Sequence, residues 1–213
     1  ARDIVLGDEG AATFDSQGRL DIIESTNTDI GGNDQITTGG GPDIVLAGAD
    51  QDTVLTESGD DIVLGDSGQA TFNSDLDAGV LAEHIGILRT INSLTAAIGD
   101  NDTITTDEGA DVVLGGAKDD LIETGTDENG DTARDIVLGD GGMAAFDVAG
   151  RLDSIESRDT EIGGSDEITT GGGADVVFGG FLDDAIDTES GRDVVLGDNG
   201  IAQFNDLDAP ILI

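Results

Sequence analysis

The sequence predicts an all-β protein, a parallel β-solenoid of short two-strand coils. Three observations predict it. Aspartates recur every nine residues, an aliphatic follows each by two positions, and a stretch rich in Gly, Ser and Asp precedes each. Asp34, Asp43, Asp52 and Asp61 form one such run; Asp102, Asp111 and Asp120 form a second; Asp166, Asp175, Asp184 and Asp193 form a third. The matching aliphatics are Ile36, Val45, Val54 and Val63, then Ile104, Val113 and Ile122, then Ile168, Val177, Ile186 and Val195. Each nonapeptide reads as a turn ending in Asp, followed by a short strand whose middle residue points inward. Glu57-Ser58-Gly59-Asp60 is a typical turn.

A longer period contains the first. Arg2-Asp3-Ile4-Val5-Leu6-Gly7-Asp8 returns at Arg134–Asp140 and, with one Val for Ile, at Arg192–Asp198, while Asp61–Asp66 is a further copy. The leading aspartates are 58, 74 and 58 residues apart. The long middle unit carries one insertion around Asp75–His84 and another within Gly125–Ala133. The expected organisation is one continuous solenoid over residues 1–213, with units at 3–60, 61–134 and 135–192 and a partial unit at 193–213, cut from a longer array. Val5, Phe14 and Ile23 are also nine apart, as are Val137, Phe146 and Ile155. A hairpin over Phe14–Leu20 fits the local alternation. The unbroken spacing favours the solenoid, so residues 8–30 and their equivalents are expected to form coils. About twenty nonapeptides then make about ten two-strand coils.

Composition narrows the function. Asp and Glu number 47 against 8 Lys and Arg, a formal charge of −39. Such a chain repels nucleic acid and anionic membrane surfaces. Cysteine is absent and His84 is the single histidine, which excludes thiolate or multi-histidine metal sites and a histidine-based triad. No apolar run approaches the ~18 residues of a transmembrane helix. No nucleophile elbow or phosphate-cradling loop occurs, so no enzymatic activity is expected. There is no basic-then-apolar leader, and any export signal is expected outside this sequence or already removed.

Composition also poses a physical problem. Each coil offers two inward side chains, and the turns are nearly all Gly and Asp. Burial this sparse does not offset the chain entropy of 34 glycines together with the repulsion of −39. In a solenoid, alternate aspartates stack in rows. One row reads Asp3, Asp21, Asp43, Asp61, Arg89, Asp111, Asp135, Asp153, Asp175 and Asp193; the opposite row reads Ala12, Asp34, Asp52, Ala70, Asp102, Asp120, Ala144, Asp166, Asp184 and Ala202. Stacked carboxylates demand a cation between them. Oxygen-only donors, carboxylate plus turn carbonyl, suit Ca²⁺ rather than Mg²⁺ or a transition metal. The candidate ligands are therefore the fifteen aspartates of the two rows, and the expected cofactor is multiple calcium ions. Asp8, Asp66, Asp140 and Asp198, each after a Gly, are candidate additional ligands, and Asp127–Asp131 faintly suggests a separate loop. The four Ala positions carry Phe14, Phe72, Phe146 and Phe204 at the inward place and read as calcium-poor slots that gain core area.

These motifs resemble the RTX, or haemolysin-type, calcium-binding nonapeptide repeats, with consensus Gly-Gly-x-Gly-x-Asp-x-aliphatic-x. Gly39-Gly40-Gly41-Pro42-Asp43-Ile44-Val45 and Gly171-Gly172-Gly173-Ala174-Asp175-Val176-Val177 carry the resemblance. It implies a parallel β-roll with Ca²⁺ between turns, held by Asp carboxylates and turn carbonyls, in a protein exported by type I secretion. The expected function is an extracellular structural module that folds on calcium binding, within an adhesin, surface-layer or filament-like protein. The alternative is the calcium-binding region of a secreted toxin or hydrolase.

The strand flanks differ by wall. Ile4, Leu6, Ile44, Leu46, Ile62, Leu64, Val112, Leu114, Ile136, Leu138, Val176, Phe178, Val194 and Leu196 make one wall apolar on its outer side. That wall is either a surface for self-association or a neighbouring domain, or is covered by an insertion. The other wall carries Gln35, Thr37, Thr53, Thr103 and Thr105, and its broken threonine ranks leave ice binding only a remote alternative. Leu76–Ile91 is expected to form a short helix or a covering strand, with His84 on the surface.

Overall fold

The computed structural model describes residues 1–75, 77, 79–95, 97–125, 130–205 and 209–211. The first repeat runs β1 (Ile4–Leu6), β2 (Gly10–Phe14), β3 (Leu20–Ser25), β4 (Gln35–Thr37), β5 (Ile44–Leu46) and β6 (Thr53–Leu55). The second runs β7 (Ile62–Leu64), β8 (Gly68–Phe72), a 3-10 turn at Ala82–His84, β9 (Leu88–Ser93), β10 (Thr103–Thr105), β11 (Val112–Gly116) and β12 (Leu121–Glu123). The third runs β13 (Ile136–Asp140), β14 (Gly142–Phe146), β15 (Leu152–Ser157), β16 (Glu167–Thr169), β17 (Val176–Gly180) and β18 (Ala185–Asp187). The fourth begins with β19 (Val194–Asp198), β20 (Ile201–Phe204) and β21 (Pro210–Ile211).

Within each repeat the strands go to fixed places. The first and fifth join a parallel sheet ordered β1-β5-β7-β11-β13-β17-β19, and the fourth and sixth join a second parallel sheet, β18-β16-β12-β10-β6-β4. Pairing is in register: Val5, Val45, Val63, Val113, Val137, Val177 and Val195 form one inward file. Ile36, Val54, Ile104, Ile122, Ile168 and Ile186 form the facing file. Their side chains fill a narrow core between the sheets, with Val45, Val63, Ile104 and Val113 buried to within 1%. This is the parallel β-roll that the nine-residue period predicts.

The roll has fewer coils than expected. Residues 8–30 and their equivalents are not coils; they form antiparallel hairpins β2–β3, β8–β9, β14–β15 and β20–β21, which join into one eight-stranded sheet. Two coils per repeat remain, six in all, with β19 opening a seventh. A tight turn overrides the period. Asp15 Oδ1 accepts the Gln17 and Arg19 N–H groups at 2.8 and 2.9 Å, its Oδ2 accepts the Arg19 Nε–H at 2.8 Å, and Gly18 takes φ +78°. Only glycine adopts that φ at no steric cost. Asp147, Gly150 and Arg151 rebuild the same turn.

The hairpin sheet lies over the apolar wall. Ile44, Leu46, Leu64, Leu114, Leu138 and Phe178 are buried to within 2% against Ile23, Phe72, Ile91, Phe146 and Ile155. The wall is thus the second core of a three-layer protein and not a free assembly surface. Its reading as a partner interface gives way to the covering-insertion reading. Phe72, Phe146 and Phe204 point into this outer core, not into the roll. Phe14, at the sheet edge, is half exposed. In the middle insertion the structure shows the 3-10 turn and β9, and His84 is only partly exposed.

Candidate metal sites

The aspartates that end the turns form two ladders along the roll. In the first, Asp3 N–H donates to Asp43 Oδ1 at 2.7 Å, Asp43 to Asp61 at 2.7 Å, Asp61 to Asp111 at 2.8 Å, Asp111 to Asp135 at 3.0 Å, Asp135 to Asp175 at 3.0 Å and Asp175 to Asp193 at 3.2 Å. The second links Asp34, Asp52, Asp102, Asp120, Asp166 and Asp184 in the same way at 2.7–3.0 Å. Beyond the leading Asp3 and Asp34, one oxygen of each ladder carboxylate is therefore spent on joining coils. The sequence separations record the architecture: 18 residues across a plain coil, 24 across the coil that carries the insertion within Gly125–Ala133, and 40, 46 or 50 where a hairpin is spliced in.

The other oxygen behaves differently in the two ladders. In the second, Oδ2 of all six aspartates is sealed from water with no hydrogen-bond partner. In the first, Thr106, Thr124, Thr170 and Thr188 hydroxyls donate to Oδ2 of Asp111, Asp135, Asp175 and Asp193 at 2.5–3.1 Å, while Oδ2 of Asp43 and Asp61 is sealed and unpartnered as in the second ladder. A buried carboxylate oxygen without a donor is costly and marks a place for a cation.

Glycine makes room for one. Where a Cβ would stand on Gly65, Asp102 Oδ2 lies 2.3 Å away and the Gly115 carbonyl 2.6 Å. On Gly115 the same point has Asp120 Oδ2 at 2.4 Å and the Gly139 carbonyl at 2.3 Å; on Gly179, Asp184 Oδ2 at 2.2 Å and the Gly197 carbonyl at 2.5 Å. Gly7 and Gly139 repeat the pattern with Asp34 and Asp166. A carboxylate and a carbonyl oxygen thus converge in each turn, where any side chain would clash. Among the described residues no three His, Asp or Glu side chains converge on one point. The donor set is one or two carboxylates plus carbonyls, which fits the hard, flexible coordination of Ca²⁺.

The electrostatics agree. Burial, with repulsion from neighbouring aspartates, pushes the Asp120 carboxyl up to about 10, Asp111 up to about 9, and Asp102, Asp135 and Asp166 up to about 8. Asp52 rises to about 7 and Asp61 to about 6 for the same reasons. Without a cation the groups pushed to about 8 and above resist ionisation at neutral pH.

Thirteen of the fifteen expected ligands stand in the ladders. Asp21 and Asp153 do not: they lie on the antiparallel strands β3 and β15, away from any roll turn. Arg89, Ala12, Ala70, Ala144 and Ala202 lie on hairpin strands as well and interrupt neither ladder. The expected loop at 127–131 falls mostly outside the described residues. The threonine donors were missed, although Thr106, Thr170 and Thr188 each precede their aspartate by five residues, a readable spacing.

Fold and site together define a metal-binding parallel β-roll. The family model for the RTX calcium-binding nonapeptide repeat (4 copies) matches residues 30–63, 37–71, 98–129, 163–186 and 170–201, together more than half of the chain. The chain belongs to the RTX calcium-binding nonapeptide repeat family. The matches cover roll turns and leave out β2–β3, β9, β14–β15 and β20–β21 of the hairpin sheet. No curated protein and no solved structure matches the chain.

Proposed function

We propose that this calcium-binding repeat module is an extracellular structural segment of a protein exported by type I secretion, which folds and stiffens when it meets calcium. It would serve a structural role in an adhesin, surface-layer or filament-like protein, without catalysis of its own. The observation that carries the reading is the second ladder, six aspartates whose sealed Oδ2 atoms have no partner. At the low calcium of a cytosol their repulsion opposes the roll, and the chain stays open for export. Outside, ion binding supplies folding free energy. The side chains that would hold the ions are the ladder aspartates with turn carbonyls such as those of Gly115, Gly139 and Gly179.

Circular dichroism during a calcium titration, with magnesium as control, tests this. The expected result is a chelated chain with little ordered structure that gains a β spectrum with calcium and not with magnesium. A fully β-rich spectrum in excess chelator overturns the reading.

A further inference from the structure

The turns leading from the first parallel sheet to the second are of two kinds. β11 and β17 end in Gly115-Gly116 and Gly179-Gly180, and the chain then reaches the ladder aspartate directly. After β1, β7 and β13 the second glycine is replaced by Asp8, Asp66 or Asp140, and a hairpin is spliced in before the ladder residue Asp34, Asp102 or Asp166. The hairpin-bearing turns keep a glycine shortly before the ladder residue, at Gly31, Gly99 and Gly163. The inserted acid stays at the site. Asp66 is 5% and Asp140 2% exposed.

Each of these carboxylates is clamped between coils. Ala117 N–H donates to Asp66 Oδ2 at 2.5 Å and Ala49 N–H to Asp8 Oδ2 at 2.7 Å, while Gly164 N–H donates to Asp140 Oδ1 at 2.8 Å. The second oxygen of Asp66 has no formed hydrogen bond, although the Asp100 amide lies near it. Its charged neighbours are Asp102 and Asp52, both at most 2% exposed and both with an unpartnered Oδ2. No basic group is among the charges acting on Asp66 or Asp102. Anions this close and this buried, with oxygens to spare, need a cation.

We infer that each hairpin-bearing turn holds its calcium ion with a second carboxylate outside the nonapeptide consensus, pairing Asp66 with Asp102, Asp8 with Asp34 and Asp140 with Asp166. Asp52 and Asp120 then bind with one carboxylate per turn, and the hairpin turns with two. Each hairpin turn thus gains a carboxylate where the covering layer is added. This rests on the reading of the roll as a calcium module, and the test separates the two.

Native mass spectrometry of the intact chain at saturating calcium counts the ions. D66N and D140N are each expected to carry one ion fewer than the parent, and the double variant two fewer. Asparagine keeps an oxygen for the clamping N–H, so the turn retains its backbone bond. D29N, at an exposed position, keeps the full count. If D66N and D140N do not fold, D8N in the first, less buried turn decides: one ion fewer supports the inference. An unchanged count and an unchanged calcium midpoint in the folded variants overturn it. A parent chain that binds no calcium overturns the calcium-module reading instead.

Discussion

The two cores of this protein are built on opposite economies. The outer core, between the first parallel sheet and the hairpin sheet, uses large side chains: Leu46, Leu64, Leu114, Leu138, Phe72, Phe146 and Phe178. Fully burying each such residue contributes about 1.5–3 kcal/mol. The inner core of the roll has one Val or Ile per strand and is closed at each side by turns that bury charge. The outer core is built from apolar contact and binds no ion, but it packs on the roll's first sheet. The inner one is sustained only if the aspartate ladders are neutralised. A chain can therefore combine a cation-dependent scaffold with an apolar cover that rests on it, the cover being added as hairpins in alternate turns.

Four perturbations sharpen the contrast, the strongest first. The largest is pH in the absence of metal. Ladder carboxyls such as Asp52, Asp102, Asp111, Asp135 and Asp166 have folded-state values raised above the usual 3.8, up to about 10 for Asp120. The metal-free roll therefore binds protons that the unfolded chain releases, and its stability falls as pH rises from about 4 to about 10. In chelator the β signal is expected to be greater at pH 5 than at pH 9. With calcium present the trend reverses, because the ion needs ionised oxygens, and the calcium midpoint rises as pH falls. An apo β signal independent of pH breaks the account of the ladders.

Next is Phe178→Ala, in the outer core. It is expected to cost about 3–5 kcal/mol in thermal or denaturant unfolding with calcium present, while the number of bound ions stays the same. Asp175→Ala takes the acceptor from the buried Asp135 N–H of the preceding coil, a loss of about 1–3 kcal/mol, Asp43→Ala takes it from the part-buried Asp3 N–H and costs less, and each also raises the calcium midpoint. An outer-core variant that lost ions, or a ladder variant that kept its midpoint, would erase the distinction between the two regions. The smallest is Ala144→Gly on β14, expected to cost about 0.5–1 kcal/mol and to leave the calcium midpoint nearly unchanged.

Much of the roll was legible because its signal is periodic and chemical. Asp43, Asp61, Asp111 and Asp120 stand where the spacing of nine places them, and the calcium chemistry follows from their density. The hairpins were misread for a physical reason. Phe14 and Ile23 fall nine apart by coincidence of hairpin length, and strand alternation is the same in a coil and in a hairpin. The deciding signal was local: Asp15 and Gly18 before Arg19, and Asp147 and Gly150 before Arg151, spell a tight turn that no nonapeptide contains. Asp21 and Asp153 were misplaced with those hairpins. The apolar wall shows the same limit, since Leu46 and Phe178 reveal that something covers them but not what.

The most direct test of the central claim is hydrogen exchange at the ladder amides, such as Asp61 N–H and Asp120 N–H, with calcium and in chelator. These amides are expected to be strongly protected with calcium and to lose protection when it is removed. Equal protection in both conditions would contradict a roll that is held together by its ions.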